Sequence, residues 1–352
     1  MFCRAHNALM TFGLALVTLA TGCQESAPPA VAPWGEVILS SDAEFRDIFF
    51  LDEDHGWIVG GGYNIDGGIL GETSDGGAHW RFRVGIVPQV RTRLFHLNAV
   101  VFQSPSTGII AADEGRILRT VDSGTHWHTL VRFGRQLSDL FFLDARMGWA
   151  AGEQRVLRTE DGGASWVRAN ATSEGNDDFR ATAIHFIDAR RGWLVGHHGV
   201  VRRTEDSGTT WMRVDVPLTD STPVLSAVQF VNKRMGWIVG AAGTILNSRD
   251  GGLTWASQSS GSRANLRDVH FIDERHGWIV GFDPKTGRSS VFHTLNGGTS
   301  WVQQATIHGE SLEALTFQAS GRGWAVGDRV RRKPQRLLRY TPPAPTPPSP
   351  AT

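Results

Sequence analysis

The chain has 352 residues, and its 35 Lys and Arg are balanced by 35 Asp and Glu. Zero formal charge excludes a global electrostatic pull toward nucleic acid or an anionic surface, so any such contact would need a local patch. The 41 glycines, 13 tryptophans and two cysteines argue for a turn-rich fold with a large core and no disulfide framework.

Residues 1–22 read as an export signal. Arg4 and His6 open it, Ala8 to Ala20 is mostly apolar, and Thr21-Gly22-Cys23 closes it. The apolar run is short for a membrane span and sits where a signal core should. The ending resembles a bacterial lipobox with Ala20 in place of the usual Leu, so lipidation of Cys23 is expected. A general signal cut near Gly22, with Cys23 left as a thiol, is the alternative. Cys3 would leave with the signal, and no internal disulfide could form. Residues 23–33 then make a flexible Pro/Ala spacer, and 342–352 a disordered Pro-rich tail.

Between them the chain repeats itself. The pattern [ST]-x-[DN]-x-G-x-x-W occurs six times, at 73–80, 120–127, 159–166, 204–211, 248–255 and 294–301, and its Trp residues are spaced by 47, 39, 45, 44 and 46. Its Asp can bond backbone N–H groups of its own turn, its last Gly can take positive φ, and its Trp supplies a broad apolar plate. Each copy is preceded by a short alternating strand (45–52, 97–104, 137–144, 181–188, 225–232, 266–273, and a seventh at 312–319). A second strand follows that begins Gly-Trp at 56, 148, 192, 236, 277 and 323, or Gly108-Ile109 in the second unit. Four short strands per unit describe a propeller blade, so the expected fold is an all-β, seven-bladed β-propeller over 34–341.

The seventh unit lacks the motif and a fourth strand. An orphan strand at 33–40 precedes the first unit, with Trp34 where a motif Trp would stand. We expect it to complete the last blade and close the ring, which removes exposed sheet edges. Strand parity then puts the six motifs on one face and the irregular insertions (60–68, 84–96, 171–180, 216–224, 282–290 and 328–336) on the other, the candidate working surface.

The motif resembles the Asp-box of sialidases, other propeller glycosidases and sortilin-type receptors, where it is a structural turn. Asp75, Asp122, Asp161, Asp206, Asp250 and Asn296 are accordingly read as structural. Sialidase chemistry would need a Tyr nucleophile, an acid and three Arg residues. The chain holds only Tyr63 and Tyr340, and Phe45-Arg46-Asp47-Ile48 departs from the sialidase FRIP signature. Loop acids Glu174, Asp177 and Asp178 are not singled out from solvated charges, and the pair His197-His198 lacks further ligands. No catalytic residue, metal site or cofactor is expected. The candidate partner anchor is the basic run Arg329, Arg331, Arg332, Lys333 and Arg336, with Arg91, Arg93 and Arg288 on the same face.

The full repeat, clearest at 225–255 and 266–301, resembles the photosystem II stability/assembly factor family of seven-bladed propellers. The lipobox, the Pro-containing spacer and the Pro33-Trp34 start resemble its cyanobacterial members. The resemblance implies a non-enzymatic chaperone that binds a newly inserted reaction-centre subunit, and with the lipobox we expect a lipid-anchored monomer that binds a protein partner at a membrane surface. That surface would face the periplasm, or the thylakoid lumen in a photosynthetic host. The long loops at 60–68, 84–96 and 282–290 and the degenerate second blade depart from a compact photosynthetic member. The alternative is a carbohydrate-active Asp-box propeller, a sialidase-like glycosidase or a lectin.

Overall fold

The computed structural model describes residues 34–39, 43–63, 65–87, 90, 94–169, 179–218, 223–329 and 335–342. They form five four-stranded antiparallel sheets and one eight-stranded sheet that is two such units joined, so seven blades make a β-propeller. The inner strands are Glu44–Phe50, Leu94–Phe102, Leu137–Phe142, Ala181–Phe186, Leu225–Phe230, Asn265–Phe271 and Glu310–Phe317. The last blade is closed by Trp34–Leu39, which runs antiparallel to Gln335–Tyr340 with Trp34 opposite Tyr340. The expected closure is what the fold contains.

A repeated aromatic sandwich explains the repeated residues. The last residue of every inner strand is Phe, and its ring lies over the Gly that opens the second strand; a Cβ on Gly56 would sit 2.6 Å from the Phe50 ring. That leaves the Trp after the Gly free to cross the blade junction. Trp57 stacks on Phe102 of the next blade at 3.6 Å and 6°, Trp149 on Phe186 at 3.6 Å and 8°, and Trp237 on Phe271 at 3.5 Å and 9°. Trp324 stacks in the same way on Phe50, at 3.7 Å and 13°, and so couples the last blade to the first. Each motif Trp meets the other side of its own blade's Phe edge-on, as Trp80 does Phe50 at 6.0 Å and 90°. Burying rings of this size contributes about 2–3 kcal/mol apiece.

Side chains within the inner strands, or directly after one in the case of Gln318, also staple every junction. Asp47, Asp139 and Asp268 each accept a backbone N–H of the next inner strand, from Val100, Ile184 and Leu315 at 2.8, 2.8 and 2.9 Å. Asn98 donates to Leu137 O, Thr182 to Leu225 O, and Gln318 to Phe50 O. Gln229 exchanges two bonds with Phe271. Inner strands of neighbouring blades do not share a ladder, so these bonds satisfy main-chain groups that would otherwise face a narrow channel unpaired.

The Asp-box turn is a closed hydrogen-bond cage. Thr204 Oγ1 donates to Asp206 Oδ1 and accepts from Gly208 N, while Asp206 Oδ1 accepts Thr210 N and Oδ2 the Thr210 hydroxyl. The residue before the Trp closes the cage in every copy, as His79, His126, Ser165, Thr210, Thr254 or Ser300. Both residues after the Asp take left-handed φ, so Ser207 (φ 65) and Ser123 (φ 60) hold a conformation that suits Gly. The first of them donates to the turn between strands one and two, for example Ser207 N to Arg190 O at 2.9 Å. Both turn types therefore share one face, as strand parity predicts.

Two insertions are more regular than the sequence reading has them. Leu94–His96 is strand and pairs with Gly61–Tyr63, which joins the first two blades into the eight-stranded sheet. Residues 282–290 are largely an extended hairpin, with Phe282 opposite Ser289 and Asp283 opposite Arg288.

Candidate functional site: the channel mouth

Every inner strand carries a bulge, where the pairing register shifts across Arg46, Asn98, Ser138, Thr182, Ser226, Arg267 and Glu313. A bulge leaves one residue out of the ladder and re-aims its side chain. All seven are polar, and they line the channel and its mouth on the face opposite the Asp-boxes. The mouth is an open cavity of ≈ 610 Å³ completed by His96, Gln136, Glu153, Arg180, His197 and Asn265. Below it a narrower space of ≈ 290 Å³ is lined by inner strands of all seven blades.

The charges at the mouth are balanced and partly tied. Arg46 donates to Glu44 at 2.9 Å and lies 3.4 Å from His96 Nε2, which is itself 2.9 Å from Glu44. His96 Nδ1 is 3.4 Å from Asp113, whose other oxygen accepts Asn98. Burial works against a proton on His96, but the bonds to Asp113 and Glu44 outweigh it and raise its pKa. Arg267 pairs with Glu313 at 3.4 Å, and Arg180 with Glu153 at 3.8 Å.

Deeper in the channel, burial pushes the carboxyls of Asp47, Asp139 and Asp268 up to about 6, 8 and 7, against the pull of their backbone N–H donors. Repulsion from Asp47 and Asp268 adds to the rise at Asp139. His185 and His270 are held down at about 4 by the same burial.

This arrangement offers a ring of hydrogen-bond donors and acceptors. Among the described residues it pairs no hydroxyl nucleophile with a base: Thr182 is committed to Val195 O and Leu225 O, and His96 to carboxylates. Tyr340 is buried at the other end of the last blade, against Trp34, Trp278 and Phe317. No group of three or more His, Cys, Asp or Glu converges on a metal position among the described residues. His197 lines the mouth, and its ring lies 6.3 Å from that of His198.

Of the candidate anchors, Arg288 is exposed at the start of strand Arg288–Thr294. Arg329 ends one strand of the last blade, paired with Glu310, and Arg336 lies opposite Ile38. Arg91, Arg93, Arg331, Arg332 and Lys333 lie outside the described residues, as do Cys23, Glu174, Asp177 and Asp178. The six Asp-box residues lie on the opposite face, within the turns. The bulge residues and His96 are the part of the mouth that sequence reasoning missed. A signal was present, because the residues after 45, 97, 137, 181, 225, 266 and 312, second in each alternating strand as read from the sequence, are polar in all seven repeats.

A sequence model described as "Photosynthesis system II assembly factor YCF48" matches residues 27–137 and 129–223, together more than half of the chain. The photosystem II assembly lipoprotein Ycf48 of Synechococcus sp. (strain CC9902) is 31% identical over 112 residues, which is 31% of each chain. The alignable part spans less than half the length of that relative and of its counterpart in Picosynechococcus sp., 31% and 45%. Among solved structures, a YCF48 bound to a D1 peptide superposes with TM-score 0.69 at 20% identity, covering 90% of this chain and 100% of that one. YCF48 from Cyanidioschyzon merolae superposes with TM-score 0.70 at 19% identity, covering 88% and 99%.

Proposed function

The chain belongs to the photosynthesis system II assembly factor YCF48 family, and from that membership we propose that it is a non-enzymatic assembly factor or scaffold that binds a segment of a protein partner at a membrane surface. The observation that carries this reading is the channel mouth: an open, polar, charge-balanced cavity ringed by one re-aimed side chain from every blade. Such a ring can satisfy the backbone and polar side chains of a peptide without a catalytic constellation. A family member solved with a D1 peptide bound supports a peptide as the class of ligand.

Cys23 is the proposed lipid anchor, in keeping with relatives described as lipoproteins, and the propeller would face the periplasm, or the thylakoid lumen in a photosynthetic host. The basic residues Arg329, Arg331, Arg332, Lys333 and Arg336, with Arg91, Arg93 and Arg288, are the proposed charged anchor for the partner. Replacing Arg331, Arg332 and Lys333 by Glu should abolish capture of the partner from solubilised membranes while leaving the thermal midpoint unchanged. Undiminished capture would count against the role of the cluster. Turnover of any chromogenic glycoside would overturn the non-enzymatic reading.

A further inference from the structure

The polypeptide enters the propeller on the Asp-box face. Trp34 lies opposite Tyr340, and Tyr340 lies opposite Gly323. In the other blades that level of the third strand is the Thr or Ser that opens the Asp-box turn, as Thr73 opposite Gly56. Ten residues lie between Cys23 and Trp34, and the eleven Cα–Cα steps that join them reach at most about 40 Å. An acyl group on Cys23 therefore tethers the Asp-box face within that distance of the bilayer, and the channel mouth opens on the other face.

One tip of the Asp-box face is built unlike the rest. In the fifth blade, Lys233 and Arg234 of the first turn and Arg249 of the Asp-box are all exposed, and none forms an ion pair with a carboxylate among the described residues. The corresponding turn residues Arg146 and Arg190 of blades three and four are also exposed and bond the backbone carbonyls of Glu160 and Glu205, so the fifth tip differs in carrying the cation Arg249 where those Asp-boxes carry an acid. Asp250 at this tip is engaged by Ser248 and Thr254. The same Asp-box carries Leu253, 59% exposed, and Leu295 occupies the Asp-box of the next blade, 53% exposed. Acids border this tip on one side, where Asp273 and Glu274 occupy the turn of the sixth blade and Glu274 accepts Asn232 beside Lys233 at 2.7 Å, and the first blade carries Asp52, Glu53 and Asp54 in its turn.

We propose that the Asp-box face is the membrane-proximal face and that the fifth-blade tip docks on anionic lipid headgroups. Cations without a carboxylate partner beside an exposed apolar side chain are the composition that adheres to such a surface. The acidic first blade is repelled, so the wheel leans on its fifth-blade edge and leaves the mouth open to the aqueous compartment. This inference rests on the lipid anchor proposed above.

The test uses the full lipidated chain in vesicles of phosphatidylcholine, with or without phosphatidylglycerol. A fluorophore is placed at Leu253→Cys or, on the opposite face, at Arg288→Cys, and a quencher is carried on the lipid headgroups. The Leu253→Cys label should be quenched several-fold more in the anionic vesicles than in neutral ones, with the Arg288→Cys label little affected. The combined substitution K233E/R234E/R249E should remove that difference while the chain stays on the vesicles. Equal or stronger quenching at Arg288→Cys, or no effect of charge reversal in a normally folded chain, overturns the proposal. Loss of the wild-type chain from neutral vesicles would instead refute the acyl anchor. Docking is then read from retention on anionic vesicles alone, which must disappear on charge reversal for the proposal to stand.

Discussion

Trp34 meets Phe317 edge-on, with ring centroids 6.0 Å apart and planes at 88°, although 283 positions separate them. The six motif tryptophans meet the phenylalanines of their own blades at 5.7–6.0 Å and 78–90°. Trp34 is thus a seventh motif tryptophan delivered from the far end of the chain. It also packs on Tyr340 at 5.2 Å and donates to Gln304.

Trp34→Ala should therefore destabilise the whole propeller by about 2–4 kcal/mol, the range for losing a large, partly buried aromatic. Trp34→Phe should recover much of the loss. Urea unfolding followed by tryptophan fluorescence reads both, and an unchanged midpoint for the Ala variant would deny Trp34 its part in closure.

The junction between blades two and three is the one where the stacked Trp is replaced, by Ile109, so Phe142 has only its edge-on partner Trp166. Six junctions accommodate the larger ring over the same kind of Gly. Ile109→Trp should accordingly stabilise by about 0.5–1.5 kcal/mol, the usual gain from an aromatic pair. A lower melting temperature would mean that this junction has closed around the smaller side chain.

Ser207 sits at φ 65 where three other Asp-boxes have Gly-Gly with Asp before it. Left-handed backbone costs an ordinary residue about 1–2 kcal/mol, partly offset because Gly loses more freedom on folding. Ser207→Gly should stabilise by about 0.5–1 kcal/mol in calorimetry, while Ser207→Val, β-branched at the same φ, should destabilise.

The channel carboxyls give the protein an alkaline limb. A carboxyl whose pKa is raised on folding favours the native state at low pH, and that contribution is lost as pH rises through the folded value. For Asp47, Asp139 and Asp268 the loss runs from near pH 4 to about 6, 8 and 7. His185, His270 and His293, held at about 4, act oppositely between pH 6.5 and 4, so the two sets compete in acid. Above pH 6.5 the carboxyls act without that opposition. Stability should fall by about 1–2 kcal/mol between pH 6.5 and 8 on account of Asp139, and Asp139→Asn should flatten that limb. Parallel urea midpoints for wild type and variant across this range would refute the assignment.

The architecture was legible because it is written seven times. Six Asp-boxes mark the blades, the absent seventh marks the seam, and parity assigns the faces. The site was harder to read because its residues come one per blade and differ in kind: Arg46, Asn98, Ser138, Thr182, Ser226, Arg267 and Glu313 share only polarity and a bulge. The junction staples are hidden for the same reason, since Asp139, Asn98, Thr182 and Gln229 answer one geometric need with different chemistry. His96 was obscured differently. It lies in a stretch that resembles an irregular loop, and only the pairing of Leu94–His96 with Gly61–Tyr63 brings it beside Glu44.

That pairing also decides where the hoop can spring. Blades one and two are welded by main-chain bonds, whereas blades seven and one are clasped by side chains, Trp324 on Phe50 and Gln318 to Phe50 O. If the closing strand frays, the first blade travels with the second, and the rim parts at the clasp beside it.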